Sequence, residues 1–161
     1  MQEFIAALVL TLLRHLVPES DHDWKQSREL TTRTYVEVAD AIAQVVVEDE
    51  LLPGLGPVRT AYVLASVAAH ESYLRAEIVS CKRLGMGDAA GAFQIEGRKH
   101  RADACVPLSG ARLALKMLRE SWAVCAHLPP LERAAFYTGG MGYESAQAKR
   151  ESRRRLKPAL D

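Results

Sequence analysis

The chain reads as mainly α, with a small irregular or β insertion near its middle. Two observations predict this class. Runs of alternating β-branched and aromatic residues, which strands need, are almost absent, while apolar residues recur at helical spacing through most of the chain. Residues 81–108 then lose that spacing and carry Gly85, Gly87, Gly91, Gly97 and Pro107. At 161 residues, 48% apolar and 25% charged, the chain has the size and composition of one ordinary globular domain that buries its own core.

The first helix spans residues 2–17 and is stopped by Pro18. Ser20 or Asp21 can cap a second helix running to about residue 50, where Val36, Ala39, Ala43, Val46 and Val47 keep near-helical spacing. Its two acidic ends, Asp21 and Asp23 and then Glu48, Asp49 and Glu50, read as a solvated face. Pro53-Gly54-Leu55-Gly56-Pro57 breaks the chain within one domain, and Pro57 suits the first turn of a third helix. That helix is apolar on every side from Ala61 to Ala69, which places it in the middle of the core, and it ends in His70-Glu71-Ser72-Tyr73-Leu74-Arg75. Ser109 can cap a fourth helix whose buried stripe is Leu113, Met117, Ser121 and Cys125, with Leu118 and Trp122 alongside. Pro129-Pro130 opens a short fifth helix to Tyr137, closed by Gly139-Gly140. The last helix, about 143–156, is basic: Lys149, Arg150, Arg153, Arg154 and Arg155, with Lys157 beyond, stand against Glu144 and Glu151. Such a cluster either draws the protein to polyanions or is an ordinary solvated face. The single domain, 1–161, divides into N-terminal helices (1–56), a central core (57–143) and a basic C-terminal segment (144–161).

A net charge of +1 gives no reason to expect a nucleic acid or a membrane surface as partner. The apolar run Phe4 to Leu13 is too short to span a bilayer. It also lacks a signal peptide's flanks, since Glu3 precedes it and Arg14-His15 follows. The three cysteines, Cys81, Cys105 and Cys125, have no CxxC spacing and cannot all pair in one chain. They argue against a disulfide framework and for a reducing compartment, and leave open whether Cys81 and Cys105 approach each other.

Glu71 is the most informative residue. Desolvation at the end of the most apolar helix and the negative end of the helix dipole both raise a carboxyl pKa, as a general acid requires. The plainer reading is an ion pair with Arg75, four residues on. His70-Glu71 begins a zinc motif, but Leu74 stands where the second histidine would be, and no metal is expected. Gly85-Met86-Gly87-Asp88-Ala89-Ala90 imitates a dinucleotide loop without the preceding strand. Gly91-Ala92-Phe93-Gln94-Ile95-Glu96 alternates; if extended, it turns Phe93 and Ile95 to one face and Gln94 and Glu96 to the other. Asp88 lies in a Gly-flanked turn just before. Glu71, Asp88 and Glu96 are therefore three carboxylates that could converge, although Asp88 equally suits a turn residue satisfying its own backbone.

Glu71-Ser72, then Gly87-Asp88, then Gly91–Glu96 with His100, then Phe136-Tyr137-Thr138-Gly139-Gly140 resembles, in that order, the lysozyme-like superfamily. The similarity is to goose-type lysozymes and soluble lytic transglycosylases, and covers roughly residues 57–143. Thr138 departs from it, standing where transglycosylases usually have Asn, and Ala92-Phe93 replaces a usual Leu-Met. The resemblance implies a muramidase acting on peptidoglycan glycan strands between N-acetylmuramic acid and N-acetylglucosamine. In it Glu71 is the general acid, and Asp88 or Glu96 activates or orients water in an inverting reaction. Ser72, Phe93, Gln94 and Tyr137 would bind sugar or position the acid, and His100 would be a structural hydrogen-bonder; no cofactor is implied. Without an export signal, a wall-cutting enzyme of this kind would reach its substrate as a phage endolysin, a virion-associated lysin or an injected secretion-system effector. The rivals are a lytic transglycosylase leaving anhydro ends, and a lysozyme-like protein without activity that serves as a structural or wall-binding part of an assembly.

Overall fold

Helix α3 (Pro57–Ser72) is the axis on which the other long helices pack. A computed structural model describes residues 1–18, 27–85 and 88–160 of the chain. Pro57 takes the first helical position after the extended Gly56, and the segment Val63–Ala69 is buried on all sides as its uniform apolarity demands. Around it lie α1 (Gln2–Leu16), α2 (Arg28–Glu48), α6 (Pro107–Val124) and α8 (Ala146–Leu160). The molecule is mainly helical, with no strand among the described residues, and no described helix is long and apolar enough to cross a membrane.

The first helix follows its sequence closely. Ile5, Val9 and Leu13, four residues apart, form its buried stripe, and the Val17 carbonyl beyond its end accepts the Tyr35 hydroxyl of α2 at 2.6 Å. Helix α2 starts at Arg28, where Ser27 is the cap and its Oγ accepts the Leu30 N–H. Ser20, Asp21 and Asp23 lie outside the described residues. The core face of α2 is also rotated from the expected one. Tyr35, Val38, Ile42 and Val45 are buried with Ala39, Ala43 and Val46, while Val36 and Val47 are over a third exposed. Its acidic C-terminal end is not merely solvated: Arg112 of α6 spans Glu48 and Asp49, and Arg119 pairs with Glu50. These pairs are open to solvent, so each contributes about 1 kcal/mol or less, but together they set α6 against α2.

Helix α6 begins two residues before the expected cap. Val106 is held extended by the proline after it and serves as N-cap, Pro107 takes the first position, and Ser109 sits inside the first turn. The buried face is Ala111, Ala114, Leu115, Leu118, Ser121 and Trp122; Leu113 and Met117 are only partly covered. The expected fifth helix is broken into a 3₁₀ turn (Pro130–Glu132), α7 (Ala135–Gly139) and a second 3₁₀ turn (Gly140–Gly142). The last helix starts at Ala146 and runs to Leu160 with Pro158 in its final turn, later at both ends than expected.

Residues 73–106 hold the irregular insertion. Tyr73 and Leu74 both adopt positive φ, ending α3 abruptly, and buried Ser72 supports the turn: its Oγ donates to the Ala68 carbonyl and accepts the Leu74 N–H. After α4 (Ala76–Val79), Cys81 is disulfide-bonded to Cys105 at the end of α5 (Arg101–Ala104), and Cys125 is free and buried. This corrects the expectation of reduced cysteines. An odd count excludes complete pairing but not one bond, and the fold brings these two Cα atoms to 5.5 Å. Closing a loop of this length stabilises the fold by about 3 kcal/mol. Inside the loop, residues 90–95 form a tight turn closed by a single antiparallel bridge between Ala90 and Ile95, not an extended segment. Gly91 is needed here: its φ is +72°, and a Cβ would strike the Ala104 carbonyl. In this different geometry Phe93 and Ile95 are buried, Gln94 is half-buried and Glu96 is exposed.

Candidate active site

The last turn of α3, the 90–95 turn, α6, α7 and α8 enclose a cleft of about 590 Å³. Glu71 lies in it because α3 carries an apolar column through the core and ends at its far side. The Glu71 side chain is 18% exposed, and its Oε1 accepts a hydrogen bond from Arg155 Nε of α8 at 2.6 Å. Arg155 is itself anchored, its Nη1 donating to the Glu151 carbonyl and to Glu151 Oε2, both at 3.1 Å. The alternative partner Arg75 is not used. The chain leaves the helix at Tyr73, so position 75 no longer lies one turn above position 71.

Burial dominates the electrostatics of Glu71 and raises its pKa above the ordinary carboxyl value; the Arg155 charge and hydrogen bond oppose this, and Glu151 and Glu96 reinforce it. The neighbouring His70 is lowered to about 4, first by burial and then by Arg155 and Arg154, against the pull of Glu151. His70 is therefore neutral around pH 7, and its 3.7 Å approach to Glu151 is a contact between an imidazole and a carboxylate rather than an ion pair. Burial, reinforced by Glu71, pushes the Tyr137 phenol well above its usual range, so it stays protonated. It donates to the Phe93 carbonyl at 2.9 Å and fastens α7 to the 90–95 turn.

Of the residues singled out from the sequence, Glu71, Gln94, Glu96 and Tyr137 line the cleft together. Gln94 has a φ of +48°, donates from Nε2 to the Gly91 carbonyl, and lies across Gly85, which has no side chain to block it. Glu96 is exposed on the same turn. Asp88 is not brought in. It sits at φ +64° with its carboxylate 3.3 Å from Arg101 and more than half exposed, and it is absent from the cleft lining; Gly87 lies outside the described residues. Ser72 and Phe93 are buried structural residues, and His100, ending a short 3₁₀ turn (Arg98–His100), does not reach the cleft.

The sequence reading missed Glu120, Met117 and Arg155 as lining residues. Met117 and Glu120, three apart, lie on the partly covered edge of α6, and a carboxylate bordering an apolar stripe was the available signal. Nothing local distinguishes Arg155 from the other cations of α8. The Thr138 hydroxyl donates to the Ala135 and Ala148 carbonyls, tying α7 to α8. Among the described residues no three His, Cys, Asp or Glu side chains are grouped as metal ligands. Chemically, the cleft offers one carboxyl whose pKa burial raises, two solvated carboxylates, an amide, a phenol and a guanidinium bonded to that carboxyl. No family model, curated protein or solved structure matches the chain.

Proposed function

We propose that this chain is a muramidase of the lysozyme-like kind, hydrolysing the glycosidic bond between N-acetylmuramic acid and N-acetylglucosamine in peptidoglycan. The observation that carries the reading is Glu71: a carboxyl with a raised pKa, at the end of a buried helix, open on one side to a cleft. Protonated Glu71 donates to the glycosidic oxygen as the bond breaks through an oxocarbenium-like transition state. The carboxylate left behind is received by the Arg155 guanidinium already bonded to it, so charge developing on the acid is met by a fixed cation. Glu96 takes the role of activating water, because Asp88 is turned to Arg101 instead. Gln94 and the acceptor side of the Tyr137 oxygen hold sugar hydroxyls and amides. The Cys81–Cys105 bond suits an enzyme that works in the envelope, outside the reducing cytoplasm, as a lysin or an injected effector does.

The test is a digest of purified peptidoglycan, read by mass spectrometry of the soluble fragments, with Glu71→Gln as control. Reducing muramic acid ends that vanish in the variant are expected. Anhydro ends would replace the hydrolase by a lytic transglycosylase and remove the base role of Glu96. No release from walls of several chemotypes would overturn the enzymatic reading.

A further inference from the structure

A second concavity, of about 550 Å³, lies between α2, α4 and the start of α6 and shares no lining residue with the Glu71 cleft. Its rim carries four cations from separate parts of the chain: Arg33 on α2, Arg75 just before α4, and Lys82 and Arg83 just after it. Arg33 is paired with Glu29, but Arg75, Lys82 and Arg83 form no ion pair among the described residues and are exposed. Two carboxylates, Glu37 and Glu77, interrupt the rim, and Ala76, Val79, Cys105 and Pro107 supply an apolar floor. The disulfide fixes this arrangement, since Lys82 and Arg83 follow Cys81 directly and Cys105 is part of the wall. Unpaired cations over a concave, low-dielectric surface concentrate positive potential and attract anions despite a net charge near zero.

We infer that this groove binds a phosphodiester polymer of the cell wall, one in which polyol units alternate with phosphates. The inference rests on the muramidase reading for the location of the ligand, and on the groove itself for its chemistry. Phosphates meet the three unpaired cations, polyol carbons lie on the apolar floor, and hydroxyls donate to Glu37 and Glu77. A nucleic acid has the same phosphates but fits less well: among the described residues no aromatic side chain lines the groove as a stacking platform for a base. On the basic helix α8, the other place for such binding, Arg153, Arg154 and Arg155 are already paired with Glu132, Glu151 and Glu71. Bound here, the polymer tethers the enzyme to the wall while the Glu71 cleft is left open to glycan.

The experiment titrates the full-length chain with poly(glycerol phosphate), and in parallel with single-stranded DNA of equal charge, at low and physiological salt. The triple variant Arg75→Gln/Lys82→Gln/Arg83→Gln alters exposed side chains and keeps the wild-type circular dichroism. It should weaken polymer binding about tenfold or more and flatten its salt dependence. Glu71→Gln should bind as wild type, and the triple variant should digest polymer-free glycan at the wild-type rate. Equal binding by the triple variant, no binding by wild type, or equal affinity for the DNA overturns the inference. Polymer binding without glycan cleavage would sink the muramidase reading and leave the groove standing; cleavage without polymer binding would do the reverse.

Discussion

Helix α8 contributes two arginines, two residues apart, to two glutamates in different parts of the molecule. Arg153 donates to Glu132 from both Nε and Nη2, and Arg155 donates to Glu71 from Nε. The Glu132 carboxylate is 9% exposed and Arg153 is 58% exposed; beside it, Ser152 bonds the Leu131 carbonyl and accepts the Ala134 N–H. That pair clamps α8 to the 3₁₀ turn and has closed packing behind it. The Glu71 pair has its arginine more deeply covered, at 12%, and a cleft with Glu96 and Glu120 on the open side of its carboxyl. A Glu–Arg pair alone is thus no sign of a site. What distinguishes Glu71 is free space beside a carboxyl that burial disfavours as an anion.

The widest separation between the two pairs should come from isosteric neutralisation. In the muramidase reading Glu71→Gln removes the proton donor, and it should lower turnover on peptidoglycan by about 10²–10⁴-fold, with little loss of stability. Glu132→Gln should leave the turnover of folded protein unchanged. Parallel assays of fragment release and thermal melts compare them directly, and comparable loss of turnover in both would remove the distinction. Reduction of Cys81–Cys105 should come next, at a cost of about 3 kcal/mol in denaturant melts. Because the bonded loop carries Gln94 and Glu96, activity should fall at denaturant concentrations where the folded signal persists. A loss of activity that tracks global unfolding would mean that the loop holds its shape without the bond.

How much of this was legible in the sequence follows from the same contrast. Helix α3 and its terminal Glu71 could be read because uniform apolarity and a boundary proline are local signals. The partition of residues 93–96 could be read too, since the chemistry of Phe93, Gln94, Ile95 and Glu96 divides core from solvent whichever backbone carries them. The partners could not. Arg155 lies 84 residues from Glu71, and its neighbours Arg153 and Arg154 are chemically identical to it. Only the angle at which α8 docks decides which arginine meets which glutamate. The sequence leaves the direction of Asp88 open between cleft and turn for a related reason: a turn aspartate with positive φ is aimed by its backbone, and here that aim is toward Arg101.

Removing one partner at a time should give a smaller, asymmetric effect. Arg153→Ala leaves a nearly buried carboxylate unpaired and should cost about 2 kcal/mol, whereas Glu132→Ala leaves an exposed guanidinium that water solvates and should cost about 1 kcal/mol or less. Equal costs in urea melts would contradict the burial asymmetry. At the other pair, Arg155→Met removes the cation that holds the Glu71 pKa down. In the muramidase reading Glu71 acts in its protonated form, so the alkaline limb of the kcat/KM profile should move to higher pH. Arg153→Met should leave that limb where it is.

The last contrast concerns His70, which sits against the Glu71 pair. Its pKa falls from 6.5 in the unfolded chain to about 4 in the fold, so between these values the unfolded state binds more protons. His70 therefore makes stability rise with pH across that window; its contribution is complete above about 6.5 and is lost as pH falls through about 4. Glu71 works in the opposite sense, because its raised pKa makes the folded state the stronger proton binder and erodes stability as pH climbs through that value. The two slopes partly cancel in the wild type, which hides each of them. His70→Gln removes one and should expose the other: stability from urea melts should hold up better toward pH 4 and decline more visibly above the ordinary carboxyl range. In His70→Gln/Glu71→Gln both slopes should flatten. A single variant whose pH profile overlays the wild type would mean that protonated His70 finds its compensation in Glu151, and that this contact becomes an ion pair in acid.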